Sequence, residues 1–362
     1  MLDISIRSAP PFAVFGVAFV ISAMGLLVYL RLPQRHLIWD LPNRPNAMHT
    51  NPTPRIGGLV MAIAVVAALL TLSSTGLPTM LTLATCILVL VSLIDDRSQL
   101  SPALRMAIHL AAASLATWFW INSFASFHLA DGAWAWVLTP IGAVIAVLAI
   151  TWMTNLYNFM DGADGMAGGM AIFGFGSYAL VAYNTQGSTD VTLLSAALAG
   201  AAAGFLLFNF SPAKVFMGDT GSIPLGFLAA ILGIQGSLVG AWHWWFPPVV
   251  FSPFIVDATA TLLKRLWLRE KIWLAHRGHY YQQLILAGWS HRRTALGYYL
   301  IMLGTSTSAI IAQIGGFEGP SIDIVSVILV TWVVIYAMLL CWSEWRFKQT
   351  IKMKSKKTVG IS

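Results

Sequence analysis

Eleven mostly apolar stretches follow one another along this chain of 362 residues, and no other feature limits its fold so tightly. About 20 such residues cross the hydrocarbon core of a bilayer as a helix. Inside lipid every backbone N–H and C=O must be satisfied within the protein, which leaves only helices and closed barrels. The stretches run Pro11–Leu30, Gly57–Leu72, Met80–Ile94, Leu104–Ile121, Trp134–Trp152, Met170–Tyr183 and Thr192–Phe208, then Ile223–Val239, Val249–Leu263, Thr294–Ile311 and Val325–Trp342. Turn residues separate them, as at Ser73–Gly76, Asn184–Gly187 and Gly315-Gly316. Charged residues make up 10% of the chain and hydrophobic ones 57%, whereas a soluble domain carries about 25% charge to cover its surface. A soluble globule, a disordered chain and a fibrous repeat are excluded. The expected fold is an all-α polytopic membrane protein of about eleven transmembrane helices.

The basic residues orient it. Twenty of the 21 Lys and Arg fall in alternate connections and the C-terminal tail, and only Arg7 falls on the other face. Because cytoplasmic segments carry the excess of Lys and Arg, the N-terminus is expected outside and the C-terminus in the cytoplasm. The net charge of +7 thus reports topology and contact with membrane lipids, not nucleic-acid binding. A ten- or twelve-span arrangement would scramble the segregation. The first stretch has no small-x-small cleavage site before Arg31 and reads as a retained span. The chain divides into a membrane domain, 1–343, and a basic cytoplasmic tail, 344–362. Cys86 and Cys341 lie in separate apolar runs, without CxxC spacing, and read as small buried hydrophobes.

The fourteen acids carry more information than their number suggests. Asp3, Asp131, Asp190, Glu318 and Asp323 fall in outer segments. Asp95-Asp96, Asp161, Asp164, Asp219 and Asp257 lie on, or lead to, the basic side. Two adjacent carboxylates such as Asp95 and Asp96 repel each other and need a cation, a shared proton or both. Mg²⁺ suits such a place, since it takes few carboxylates and leaves room for phosphates. Asn155, Asn158, Asp161 and Asp164 recur every three residues. On an unbroken helix each such step drifts by about 60°, so Gly162 and Gly165 predict a break that lets the four wrap one ligand. In Phe216–Ser222 small residues precede a helix N-terminus that favours anions, yet Asp219 suits a phosphate only if a metal bridges them. Asn209 offers a neutral oxygen nearby. Asp257 lies inside a span, and reads equally as a functional group or as the partner of a loop arginine. The loop His276-Arg277-Gly278-His279 offers donors for a pyrophosphate. Its HxxH spacing lacks a third His or Cys, so zinc is not expected.

Asp95-Asp96, the NxxNxxDGxDG string, FMGDTGS and the Arg277–His279 loop, in this order among these spans, resemble the polyprenyl-phosphate N-acetylhexosamine-1-phosphate transferases. The resemblance extends from Pro42-Asn43-Arg44 and His49 through Pro52–Gly58 to the His276 loop. It implies Mg²⁺-dependent transfer, with Mn²⁺ as a substitute, of a sugar 1-phosphate from a UDP-N-acetylhexosamine to undecaprenyl phosphate, releasing UMP. It further implies Asp219 as principal metal ligand with Asp96 beside it, and Asp95, Asp96 and His279 as catalytic residues. Asn155, Asn158, Asp161, Asp164, Asn209, Phe216, Arg277 and Arg55 would bind substrate, with Asp164 on uracil and Phe216 stacked against it. A bacterial inner-membrane location follows, with the site on the cytosolic face; dimers occur in the superfamily. Where family members often read RxHxHH, Tyr281 and Gln282 occupy the last two places. The HRGHYYQQL and GWSHRR strings resemble the branch that initiates O-antigen and related lipopolysaccharide chains, and the peptidoglycan enzyme is disfavoured by Arg55 in PTPRxGG. A secondary transporter is the rival class, against which stand acids crowded on one face and the lack of an internal repeat.

Overall fold

The computed structural model describes residues 10–32, 39–40, 52–72, 79–98, 100–125, 139–185, 188–271, 274, 276–315 and 323–359. Pro42–Arg44, His49 and the outer acids Asp3, Asp131 and Glu318 lie outside them. The described chain is helical almost throughout. Thirteen helices are α1 (Pro11–Arg31), α2 (Gly57–Leu72), α3 (Thr79–Ser98), α4 (Pro102–Ala125), α5 (Pro140–Met160), α6 (Met166–Asn184), α7 (Thr189–Asn209), α8 (Asp219–Leu238), α9 (Phe246–Val250), α10 (Ser252–Trp267), α11 (Tyr280–Leu286), α12 (His291–Ile314) and α13 (Ile324–Val359). Eight of them are long and apolar enough to cross a membrane. Two-residue strands β1 (Trp39–Asp40) and β2 (Thr53–Pro54) pair antiparallel, with Asp40 opposite Thr53.

Among the described residues each expected stretch falls on helix, α5 ending at Met160 beyond the expected Trp152, and three further differences have local causes. The stretch 249–263 is divided at Phe251, where Pro253 just inside α10 has no N–H to extend the preceding turn. The short α11 falls in the predicted histidine loop. α13 continues without a break into the basic tail, because Glu344, Arg346 and Lys348 are as compatible with helix as the apolar residues before them. Cys86 and Cys341 are exposed rather than buried; both sit among other exposed apolar side chains such as Ile87 and Met338, on surfaces that suit lipid.

The helices pack by close backbone approach. Lipid tails are as apolar as leucine, so association relies on small residues and van der Waals fit. On α7 the Gly200-Ala-Ala-Ala-Gly204 stripe faces α1, and a Cβ at Gly200 or Gly204 would lie 2.2 Å from the Phe15 carbonyl oxygen or 2.5 Å from that of Phe19. α8 runs beside α2, α3 and α5, so its N-terminus meets the ends of all three. α13, by contrast, buries few of its described side chains, Tyr336 and Ser343 among them.

Gly204→Leu should therefore separate α1 from α7. Overpacking costs about 1–3 kcal/mol where neighbours can move, and a backbone carbonyl cannot. The melting temperature of detergent-solubilised protein should drop by several degrees. Gly16→Leu, where an added Cβ meets nothing within 4 Å, should leave it in place.

Candidate active site

Asp95 and Asp96 occupy the last turn of α3, where the helix dipole disfavours negative charge. Each is held from elsewhere. Asp95 accepts the Leu100 amide at 2.6 Å and faces Arg105 Nη1 at 3.3 Å. Asp96 supplies the cap that α8 lacks: its carboxylate accepts the amides of Asp219 (3.3 Å) and Thr220 (3.1 Å) and the Thr220 hydroxyl (2.8 Å). The helix's own N-cap position is Gly218, at φ 73°. A Cβ there would come within 2.9 Å of Asp96 Oδ2, so glycine serves both the left-handed backbone and the approach of the carboxylate. The first amides of a helix have no internal partner, and here a neighbouring helix provides one.

Arg55 crosses the same centre. It donates to Asp40 Oδ2 at 2.7 Å and lies 3.3 Å from Asp96 Oδ1. Burial works against its charge, but Asp40, Asp219 and Asp96 together outweigh that and hold the guanidinium firmly protonated. The segment carrying it is knitted to the other loop: Phe216 N–H donates to the Pro54 carbonyl (2.8 Å), and Gly57 and Gly58 amides to those of Phe216 and Met217.

The predicted break in the polar string is present. α5 ends at Met160, Gly165 takes φ 78°, and α6 starts at Met166. The four polar groups part in three directions there. Asn158 donates to Asp219 Oδ1 (3.0 Å) and Ser222 Oγ (2.9 Å). Asp161, at the end of α5, is pushed well above the usual carboxylate range by burial first, then by Asp219, with Asp96 and Asp40 adding to it against the relief from Arg55. Asp164 turns away: its Oδ1 lies 3.3 Å from His291 Nδ1 and its Oδ2 accepts the Ala213 amide. Burial opposes the charge there, but His291, that amide and Ser211 hold it below the ordinary value. Asn155 lies deeper, donating to the Thr151 carbonyl and interacting with His109.

The Asn209 side chain is committed to the backbone. Asn209 accepts from the Gly165 amide and donates to the Val215 carbonyl, both at 2.9 Å, and so clamps the two loops together. Phe216 is half-buried, and its main chain ties the loop to Pro54 and Gly57. Arg277 is exposed on the histidine loop.

That loop is braced from several sides. Arg265, buried, donates to Glu270 and to the carbonyls of Lys271 and Leu274. Gln283 donates to the Gly278 carbonyl, and Gln282 accepts from the His279 amide. Tyr281 donates to the Phe159 carbonyl at 3.0 Å, beside Gly162. Of the two residues standing where family members carry histidines, Tyr281 thus holds α11 onto the end of α5, and Gln282 closes the first turn of α11. His279 lies between the rings of His276 (4.9 Å), Phe159 and Tyr281 (5.9 Å each). Asp257 does not meet a loop arginine. It accepts the amides of Tyr280 (2.9 Å) and Tyr281 (3.0 Å), and the Tyr298 hydroxyl.

Asp40, Arg105, Thr220 and Ser222 also belong to this centre. Arg105 bridges Asp95 and Asp219, lying 3.6 Å from the latter. Nothing marks Asp40 in the sequence, because only the pairing of β1 with β2 brings it to Arg55. Arg105 follows the acidic pair by one short turn between helices, a spacing that could have pointed to it.

His276 gives a pH prediction. Burial, then the neighbouring His279 and Arg265, hold it down from 6.5 to about 4, and its Nδ1 accepts the Gly278 amide. The unfolded loop takes up this proton first, so the stability it contributes is whole above about pH 6.5 and is lost as pH falls toward 4. Hydrogen exchange across 276–283, corrected for intrinsic rate, should be faster at pH 5 than at pH 7.5. His276→Gln, which keeps an acceptor without the titration, should flatten that difference; an unchanged pH response would reject the assignment.

The pattern of glycosyl transferase family 4 matches residues 78–237, from the start of α3 nearly to the end of α8. A probable undecaprenyl-phosphate N-acetylglucosaminyl 1-phosphate transferase of Bacillus subtilis is similar, 31% identical over 308 residues that cover 82% of this chain and 84% of the relative. A decaprenyl-phosphate N-acetylglucosaminephosphotransferase of Mycobacterium tuberculosis is 29% identical over 289 residues, 71% of each chain. A phospho-N-acetylmuramoyl-pentapeptide-transferase of Moorella thermoacetica is 29% identical over 275 residues, 69% of this chain and 81% of the relative. With the acidic pair, the Asn-Asp string and the Gly-Asp helix start meeting at one place, the chain belongs to glycosyl transferase family 4, the superfamily of polyprenyl-phosphate N-acetylhexosamine-1-phosphate transferases.

Proposed function

We propose that the protein transfers an N-acetylhexosamine 1-phosphate from a UDP-sugar to undecaprenyl phosphate, as the first membrane step of O-antigen or another cell-surface polysaccharide. One observation carries this: Asp95, Asp96, Asp161 and Asp219, with Asn158, Arg55 and Arg105, come from five chain segments to one end of the helix bundle. The names of the bacterial and mycobacterial relatives support a polyprenyl phosphate as acceptor and make UDP-N-acetylglucosamine the first donor to try.

The reaction needs little covalent chemistry from the protein. An oxygen of the lipid phosphate attacks the β-phosphorus of the nucleotide sugar. The bond from that phosphorus to the bridging oxygen breaks, and UMP departs with the oxygen. Arg55 and Arg105 offset the charge gathered when two phosphates enter a cluster of acids. Asp95, which accepts the Leu100 amide, holds Arg105 in place to meet the incoming phosphate. That phosphate is largely ionised near neutrality, with its second proton leaving at about pH 6, so a strong base is not required. His279 and Arg277 supply donors from the facing loop, and Asn158 fixes the Asp219 carboxylate.

The carboxylates fit a divalent cation. Among the described residues no three His, Cys, Asp or Glu form a ready ligand set, and Mg²⁺ commonly takes one or two carboxylates plus water and phosphate. Asp219 and Asp161 would hold it, since Asp96 already accepts several hydrogen bonds. The cation would neutralise the diphosphate and the leaving group.

Purified protein with undecaprenyl phosphate, Mg²⁺ and a panel of UDP-N-acetylhexosamines should release UMP. EDTA should stop the release and added Mg²⁺ restore it. Because burial and the neighbouring Asp219 push the Asp161 carboxyl above the usual range, protons compete with the cation there and Mg²⁺ should bind less well as pH falls. Asp219→Asn should lower the rate at least about 100-fold, the scale for losing one preorganised charged group, while the protein still folds and inserts. Activity with UDP-N-acetylmuramoyl-pentapeptide alone would move the protein to the peptidoglycan reaction. Solute transport without UMP release would reject the transferase reading.

A further inference from the structure

Asp257 is an acid within a helix that the transfer chemistry leaves unused. It is 3% exposed, within α10, and an ionisable group at such depth is costly to keep. Its surroundings show why the position tolerates it. Oδ1 accepts the Tyr280 amide and the Thr261 hydroxyl, and Oδ2 accepts the Tyr281 amide and the Tyr298 hydroxyl. The carboxylate therefore fixes the first turn of α11 against α10 and α12. The same Oδ1 lies 3.4 Å from Nδ1 of His279, whose side chain is 6% exposed. That nitrogen is fully buried and makes no complete hydrogen bond; two groups compete for it, the Asp257 carboxylate, which would take its proton, and the Gln282 amide of the capping box at the start of α11, which would need it bare. Hydrogen bonds in active sites are often long before substrate binds and tighten with it.

We propose that Asp257 is a positioning residue: it places the proton of His279 on Nδ1 and turns Nε2 toward the bound diphosphate. The nitrogen a histidine presents is set by the bond its other nitrogen makes, and carboxylates commonly set it. The assignment rests on the transferase reading for the identity of the ligand, but the orientation of the ring does not. A purely structural tie would hold α11 equally well with His279 in either tautomer. Glu344 is such a tie: it accepts from Lys264 at 2.6 Å and from the Tyr280 hydroxyl at 3.0 Å, bracing the same helix without facing the imidazole.

The test uses full-length protein in detergent, with ¹⁵N-labelled histidine and His279 assigned by comparison with His279→Gln. The wild-type ring should carry its proton on Nδ1. In Asp257→Asn the signal should move toward the Nε2-protonated form, and kcat should fall about 10- to 100-fold, the usual loss when an orienting carboxylate is removed, with KM for the nucleotide sugar changed less. Asp257→Glu should restore part of both. Glu344→Gln should leave the tautomer unchanged. If Asp257→Asn fails to fold, Tyr298→Phe loosens the carboxylate without removing it and should shift the ring signal in the same direction. An unaltered His279 signal in a folded Asp257 or Tyr298 variant overturns the proposal whatever the activity. Absence of UMP release in the wild type would count against the transferase reading alone, since the ring signals still decide the role of Asp257.

Discussion

The carboxylate of Asp96 accepts from the first amides of α8, from the Thr220 hydroxyl and from Arg55, and the arrangement of the site follows from that one group. It closes an open helix start with a side chain from another helix. It also fixes α3, α8 and the β2–α2 link in one place. A charge this deeply buried is expensive unless its hydrogen bonds are complete, and here they are. Removing it would leave the amides of α8 unpaired and Arg55 facing fewer anions, so structure and chemistry cannot be separated at this position.

The rest of the acidic centre is less balanced. Asp161 and Asp219 act on one another, while Asn158 and a more distant Arg105 offer partial compensation. Preorganised sites often keep such strain, because ligand binding can relieve it. Here the relief would come from a cation and the phosphates it brings. The histidine loop faces this cluster in a different manner: its backbone is braced by Arg265, Gln282, Gln283, Tyr281 and Asp257, which leaves few degrees of freedom to be lost when substrate binds.

Much of this was readable one residue at a time. Asp95-Asp96, Asn158, Asp161 and Asp219 stood out because polar residues at membrane depth need a reason. The three-residue spacing of the Asn-Asp string foretold a break at its glycines, and the break is there. It did not foretell that Asn155, Asp164 and Asn209 would each find other partners. Hydrogen-bond partners of that kind come from distant segments, such as His291 for Asp164, and local spacing contains no record of them. The tie between Asp257 and α11 was hidden for the same reason.

The sequence alone determined that the chain is helical and membrane-embedded, since apolar runs of this length have no other way to satisfy their backbone in lipid. It also determined which residue types could do chemistry there. Only the tertiary structure decided which of them meet. Asp40 reaches Arg55 through a two-residue ribbon, and α7 can press on α1 because Gly200 and Gly204 face it. Both depend on groups separated along the chain fitting together in space, and close packing has no counterpart in one-dimensional spacing.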